Sequence, residues 1–533
     1  MPDNFLRAGQ QRLTHCAERT LVDGKDLRKA AELCVEGNAM HHNNMKRYMD
    51  AVKLYNRSIA HSTNGSQQRA QAYWQRSKVC VKLKRYADCL QNIKLARASD
   101  GPGLLRQKLN LAEQCARRML LSVTDDATPG SIRHEAATLK LSFPAYENAP
   151  RVANCLVMRR NPRYGRYLET NKALKVGDVV MIDNPYASVL EPEFCYVRCD
   201  HCQRPAPFTL IPCEHCTNAM YCSFECLSSA RTQYHEFECR LVHHLAETTG
   251  DPFVLLAWRA VARTIGTYRY NLRTLKQRRN MLSKIEVNPL LLDWVDGQNI
   301  AFSAVHILAS LARAPNDPVE ARAAQLAWEM HCHLVSKTKL TANYDPDSVP
   351  YQWVGEMCYH FLKVMQCNAR PAQLMRRDEP EGRYRAVPFA LRCYPLISLL
   401  NHSCAPNVKC FDLRDGRCAV VVIQPIAAGG QLFANYGYDY LQTGRDERRE
   451  GLQRDYGFSC NCNACENNYP TAEPFHSNRV DTILRTRDMP EAARNMAKLL
   501  AEVKEGVGDG RVPHQQLAEL ERYFQLLYCE VLN

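Results

Sequence analysis

The sequence predicts an α+β protein in which helical repeats precede a β-rich domain divided by two insertions. Three observations predict it. Helix-period apolar patterns fill residues 25–122; short strand patterns appear at 155–189 and again at 393–440; and the gap between them holds a cysteine-rich stretch followed by helical sequence. The 533 residues, 46% of them hydrophobic, can build two to four domains with ordinary cores. No run of eighteen apolar residues occurs, so no membrane-spanning helix and no membrane partner is predicted. The first residues, MPDNFLRAGQQRLTHCAER, lack the apolar centre of a secretory signal, and a reducing compartment is expected.

Taken in order, the helical part comes first. KAAELCVEGNAMHHNNMKRYMDAVKLYNRSIAHS and AQAYWQRSKVCVKLKRYADCLQNIKLARAS share small and aromatic residues at a repeat of just under 40. Gly37, Tyr48, Ala51, Tyr55 and Ile59 mark the first copy; Ala72, Leu83, Tyr86, Cys89 and Ile93 mark the second. GLLRQKLNLAEQCARRML adds a further helix pair or cap. The pattern resembles tetratricopeptide (TPR) repeats, which need at least three stacked hairpins to bury their faces. TPRs that hold the acidic C-terminus of chaperones place a Lys four residues before a helix Asn. Here Cys34 precedes Asn38, and Gln75 stands near the second position. Chaperone docking is therefore not expected, and packing of the repeat against the body of the protein is.

Residues 128–150 read as a Pro-punctuated linker. CLVMRR, YGRYLET and DVVMIDNPYASVL then read as strands, with Lys175–Asp178 as a turn. After the cysteine-rich stretch, residues 240–370 are helical. Asp415-Gly416 between Lys409–Phe411 and Cys418–Ile423 signals a hairpin. Gly429-Gly430 turns the chain into Gln431–Tyr436, and a polar linker after Cys465 leads to an amphipathic helical tail. That tail looks short, so any lid it forms over a cleft is expected to be partial.

The chain has 25 cysteines, and in a reducing compartment tight clusters are metal ligands rather than disulfides. Cys34, Cys80 and Cys89, lying singly in apolar patterns, are predicted to be small buried hydrophobes. Cys199, Cys202, Cys213, Cys216, Cys222, Cys226, His235 and Cys239 form four closely spaced pairs. Structural zinc takes four N/S ligands, so eight ligands predict two ions. About 40 residues with few large aliphatics cannot fold on burial alone, and metal binding of roughly 10 kcal/mol per site must supply the difference. The spacing resembles a MYND finger. That resemblance implies interleaved sets, Cys199/Cys202/Cys222/Cys226 and Cys213/Cys216/His235/Cys239, and a Pro-containing peptide or co-repressor as partner. Met330-His-Cys-His333 looks metal-like, but adjacent residues of a helix point to different faces, and no site is predicted there.

A second cluster, Cys460, Cys462 and Cys465, lacks a fourth ligand within ten residues, and Cys404 from a distant loop fits. Cys404 belongs to LLNHSCAPNVKCF, where an apolar run, Tyr394–Leu400, stops abruptly on Asn401-His-Ser-Cys404. This resembles the SET-domain pattern, in which NHSC lies on a threaded segment and its Cys joins a post-SET zinc. Arg163–Leu168 occupies the place of that family's first cofactor loop; Asn368, Asn435-Tyr436 and Tyr456-Gly-Phe458 match further positions. With a MYND-like finger inside a split SET domain, the order resembles the SET-and-MYND (SMYD) family, over most of residues 25–466.

The resemblance implies an S-adenosylmethionine-dependent protein-lysine methyltransferase acting on histone and/or non-histone proteins. Tyr436 would be the catalytic tyrosine and Tyr456 would line the lysine channel. Tyr164, Gly165, Arg166, Asn368, Asn401, His402, Tyr436 and Phe458 would hold the cofactor. Three zinc ions per chain are expected. Its domains would be TPR-like helices 25–125, SET parts 150–198 and 371–459, finger 199–239, helical insert 240–370, post-SET 460–466 and helical region 470–533. The chain departs from the family at Tyr167, where a second loop glycine is common, at Gly429-Gly430-Gln431, where acids are common, and in the charged insertion Arg376–Arg383. The second reading is a recruiting adaptor with a weak or inactive SET domain. The net charge of +13 is spread along the chain, so direct DNA binding is not expected. A monomer in cytoplasm and nucleus is expected.

Overall fold

The computed structural model describes residues 24–42, 47–125, 139–241, 249–295, 298–338, 349–377 and 384–471, together with Leu245 and apart from 312, 315–316 and 414. The tail 472–533, predicted helical, lies outside the described residues. Five helices open the described chain: α1 (Leu27–His42), α2 (Tyr48–His61), α3 (Gln67–Lys82), α4 (Tyr86–Ser99) and α5 (Arg106–Asp125). Strands β1 (Leu156–Asn161), β2 (Gly165–Thr170), β3 (Val179–Asp183) and β4 (Ala187–Leu190) follow. The finger contributes β5 (Ile211–Pro212), β6 (Met220–Tyr221) and α6 (Phe224–Ala230). The helical insert is α7 (Pro252–Thr267), α8 (Leu272–Leu282), α9 (Gln298–His306), α10 (Pro318–Lys337) and α11 (Val349–Asn368). Strands β7 (Ala369–Arg377), β8 (Tyr384–Cys393), β9 (Asn401–His402), β10 (Val408–Asp412), β11 (Cys418–Val422) and β12 (Phe433–Ala434) precede α12 (Arg445–Tyr456) and α13 (Asn463–Glu466). No helix among the described residues is long and apolar enough to cross a membrane.

The chain divides into two compact units. The first combines the N-terminal helices with Leu190–Leu255 and Cys332–Asn343. Ser66 begins α3 by accepting from Arg69 N, a capping arrangement that satisfies one of the helix's free amides. Gly37 is required because a Cβ there would lie 2.6 Å from Tyr55 Cε1, so α1 and α2 meet backbone to ring. Ala51, Tyr55, Ile59, Ala72, Cys89 and Ile93 are buried, whereas Leu83 is 37% exposed because it sits past the end of α3. Cys34, Cys80 and Cys89 are buried, and burial pushes their thiols up to about 11, 12 and 11.

What these helices hold is the finger. The Lys25 ammonium donates to the carbonyls of Cys213 (2.6 Å), Cys216 (2.8 Å) and Ala60 (2.6 Å). Asn56 donates to Tyr196 O and Pro207 O, and Asn92 to Phe208 O. Between them the buried Arg76 donates to Asn92 Oδ1, Asn56 Oδ1 and Leu210 O. A loop with little regular structure thus has its carbonyls satisfied by side chains of a neighbouring helical layer.

The second unit holds Ala136–Val189, Leu256–His331 and the residues from Tyr344 on. β3 pairs antiparallel with β11, which pairs with β10, so a strand before both insertions closes a sheet with strands after them. β1 and β2 form a hairpin, and β7 and β8 form another on which β4 is added. Two expectations need correction. Residues 369–393 are two long strands, where only a charged insertion stood out in the sequence; of that insertion, 378–383 lie outside the described residues. The second half of the expected linker is part of the fold: Tyr146 N donates to Val152 O and its hydroxyl to Leu156 O.

Candidate active site

Asp183 ends β3 fully buried, and its carboxylate accepts from the backbone amides of Leu396 (2.8 Å) and Ile397 (3.2 Å). Burial pushes its pKa up to about 6 against the pull of those bonds. This fixes the start of the apolar run, and a 3-10 turn over Ile397–Leu399 delivers Asn401 and His402 as β9. β9 lies parallel to β12, Asn401 beside Phe433 and His402 beside Ala434. The polar quartet therefore enters between an apolar core and the following strand.

Each member has a task. Asn401 Nδ2 donates to Arg166 O (3.0 Å) and Tyr164 O (3.3 Å), which ties it to the 164–166 loop. Gly165 there has φ +63, a left-handed conformation that suits glycine. His402 Nδ1 accepts from Tyr436 N (3.1 Å), so the neutral ring carries its proton on Nε2, which faces Cys404 Sγ at 3.3 Å. Burial holds the His402 imidazole neutral, down to about 4. Asn435 closes the turn, donating to Ser403 O and Tyr438 O and accepting from Gly437 N.

The Tyr436 hydroxyl donates to Leu400 O (2.6 Å). Its ring is 4.9 Å from that of Tyr456 and 5.2 Å from that of His402, and the Tyr456 hydroxyl donates to Tyr436 O (3.2 Å). Phe458 stands 6.1 Å from His402 and 6.4 Å from Tyr456. Burial raises the Tyr436 phenol well above its usual range and Tyr456 up to about 12, so both are neutral at pH 7. A cleft of about 590 Å³ opens onto Ser398, Leu400, Cys410, Tyr436 and Tyr456.

The structure thus gathers Tyr164, Gly165, Arg166 and Asn401 in one place, and His402, Tyr436, Tyr456 and Phe458 in another that shares β9. Asn368 ends α11 on the cleft wall, but its amide hydrogens go to Ala309 O (2.7 Å) and Val364 O (2.8 Å). Arg166 likewise donates to Ile307 O. Tyr167 pairs with Arg159 across the β1–β2 hairpin, on the face of the Arg159–Glu169 ion pair rather than that of the buried Leu168. Sequence reasoning missed Asp183, although an acid ending an apolar strand just before Asn184-Pro185 was a signal. It also missed Arg448, buried and donating to Cys465 Sγ (3.7 Å), Ala464 O and Thr443 O.

Three groups of four ligand atoms come together, with all atoms of a group within 4.8 Å: Cys199/Cys202/Cys222/Cys226, Cys213/Cys216/His235/Cys239 and Cys404/Cys460/Cys462/Cys465. The first two are the interleaved sets. In the third, Cys404 Sγ is 3.6 Å from Cys465 Sγ and 3.9 Å from Cys460 Sγ. Zn–S bonds of about 2.3 Å in a tetrahedron separate sulfurs by roughly 3.8 Å, so these residues fit the ion. His235 Nε2 lies 3.3 and 3.6 Å from the sulfurs of Cys213 and Cys216, as a fourth ligand should. His331, Cys332 and His333 are buried in α10 and join no such group among the described residues.

A short strand that lies beside a buried tyrosine and leads into a four-cysteine cluster defines a class, and the comparisons with known proteins agree with it. The SET domain family model matches residues 165–437, just over half of the chain. The human protein-lysine N-methyltransferase SMYD4 is 23% identical over 90% of this chain and 74% of its own length. The zebrafish (Danio rerio) protein of that name is 21% identical over 84% of this chain and 66% of its own. The Arabidopsis thaliana histone-lysine N-methyltransferase ATXR2 is 36% identical over 14% of this chain and 15% of its own. The chain belongs to the SET domain family and, within it, to the SMYD group of protein-lysine methyltransferases.

Proposed function

We propose that the chain is an active S-adenosylmethionine-dependent protein-lysine N-methyltransferase acting on histone and/or non-histone proteins. The observation that carries this reading is β9, which through Asn401 holds the 164–166 loop and through His402 and Leu400 O holds Tyr436. S-adenosylmethionine would supply an electrophilic methyl group on a cationic sulfur. Tyr164, Gly165, Arg166, Asn368, Asn401, His402, Tyr436 and Phe458 would bind it.

The protein's own task is to present lysine as a free amine. At pH 7 only about one lysine in 2,500 is neutral, a cost of roughly 4.6 kcal/mol. The aromatic walls formed by Tyr436 and Tyr456 penalise the ammonium and offset part of that cost. The Tyr436 proton is committed to Leu400 O, so its oxygen offers lone pairs to an amine N–H and orients the nucleophile. No carboxylate base is needed. Three zinc ions per chain would hold the finger and the post-SET thread.

Tyr436→Phe is expected to lower methyl transfer at least about 100-fold while S-adenosylmethionine affinity stays within a few-fold. Labelled-methyl transfer and calorimetry measure the two. Wild-type activity in this variant refutes the role of Tyr436. No cofactor binding by the zinc-loaded wild type ends the methyltransferase reading and leaves the adaptor.

A further inference from the structure

We propose that Cys410 is a reactive thiolate on the cleft wall and a covalent modification site for small electrophiles of the hydroperoxide class. Cys410 lies on β10 and Cys418 on β11. The register pairs Cys410 with Val420 and Asp412 with Cys418, so both cysteines and Asp412 share one face of the sheet. Arg370 reaches that face from β7. Its Nη1 is 2.8 Å from Cys418 Sγ and 3.6 Å from Asp412, and its Nη2 donates to Cys410 O at 3.3 Å. Arg392 Nη1 and the Tyr394 hydroxyl both approach Asp412 Oδ1, at 3.3 and 3.4 Å, and Asp183 is the further acid within electrostatic reach.

The Arg370 guanidinium touches one sulfur of the pair, Cys418 Sγ, and holds Cys410 by its carbonyl, so the pair beside it holds one proton more easily than two. The Cys410 thiol is drawn below its ordinary range because Cys418 donates to it and because Arg370 stands beside it; Cys418 is pushed up by its burial. Access then selects the reactive atom. Cys418 is fully buried, whereas Cys410 is partly exposed and lines the cleft that also holds Tyr436.

In the reaction, the Cys410 sulfur attacks one oxygen of the peroxide. An S–O bond forms as the O–O bond breaks, giving a sulfenic acid and hydroxide, with sulfur oxidised by two electrons and the peroxide reduced by two. A modified Cys410 would narrow the cleft beside Tyr436. That consequence rests on the methyltransferase reading; the thiol chemistry does not.

The test uses the zinc-loaded full chain, pulse-labelled with iodoacetamide from pH 6 to 9, with adducts located by peptide mass. Cys115, an exposed thiol on α5, is the internal reference. Because intrinsic nucleophilicity falls with pKa, the pH profile is more telling than the rate at one pH. Cys410 labelling is expected to level off at least one pH unit below that of Cys115, and hydrogen peroxide is expected to block Cys410 first. Arg370→Gln should move the plateau upward; Cys418→Ala should do the same where the first variant does not fold. A Cys410 profile that coincides with Cys115, or no Cys410 labelling at any pH, overturns the proposal. If Cys410 labels as expected in protein that transfers no methyl, it is the methyltransferase reading that fails.

Discussion

The finger and the post-SET cluster both gather cysteine ligands in fours, the finger with one histidine among its eight, but for different ends. In the finger every ligand has another within four residues, and the eight span Cys199–Cys239. Metal bound there would replace a core that a short polar segment cannot build, and the helical layer satisfies the loop carbonyls. In the post-SET cluster three thiolates are local and the fourth, Cys404, comes from 56 residues before Cys460. Closing such a loop constrains the unfolded chain by about 4 kcal/mol on the scale used for disulfides. More to the point, Cys404 is two residues beyond His402, so a metal held there would fix the strand that carries the candidate site. One ion set makes a module, and the other makes a topology.

The largest effect should come from breaking that topology. Cys404→Ser is expected to release one of three ions, lower methyl transfer by more than about 100-fold and leave both finger ions bound. Metal analysis of the purified variant checks the count. Loss of all three ions, or of none, would erase the distinction between the two regions. Next comes the finger's support. Asn56→Ala leaves Tyr196 O, Pro207 O and an Arg76 hydrogen without their partner, at about 1–3 kcal/mol for each group left unsatisfied. A drop of roughly 3 kcal/mol in the stability of the first unit is expected, with finger zinc released at lower chelator and post-SET zinc unchanged. A smaller effect is expected from Arg448→Met, which removes a cation from beside the post-SET thiolates. Post-SET zinc affinity should weaken about tenfold, with the finger as internal control.

The two regions also differ in how much of them could be read from the chain. Both ligand clusters were legible because few residue types bind zinc and their spacing is short. Cys404, Tyr436 and the polar quartet were legible because reactive residues interrupt an apolar run. What joins the finger to the helices was not: Asn56, Arg76 and Asn92 look like ordinary polar positions on a helix until the partner carbonyls arrive from more than 100 residues away. The β7–β8 hairpin was hidden for a local reason. Val387 and Phe389 are buried on either side of Pro388, and a Pro argues against a strand interior. The ladder tolerates it because the register shifts between Ala372 and Gln373, opposite Ala390 and Pro388. Asp183 carried a local mark, an acid closing an apolar strand before Asn184-Pro185, but its partners are two amides 213 and 214 residues away, so the mark did not say what the acid holds.

The last prediction concerns acid. In the helical insert of the second unit, His306 and His360 face each other with ring centroids 4.3 Å apart, and His360 Nε2 is 3.0 Å from His306 O. Burial is the main cause that holds them neutral, His306 down to about 3 and His360 to about 4; repulsion by His360 adds to it at His306, and Arg279 adds to it at both. Free imidazoles take a proton near pH 6.5. Between about pH 6.5 and pH 4 the unfolded chain therefore binds protons that the folded chain refuses. The contribution of this pair to stability is level above pH 6.5 and declines as the pH falls below it. Thermal melts of the second unit's transition should show that decline, and His306→Phe should make it shallower. Both imidazoles lie outside the three ligand groups, so the shallower slope is expected at unchanged zinc content. An identical slope in the variant would remove this pair from the protein's response to acid.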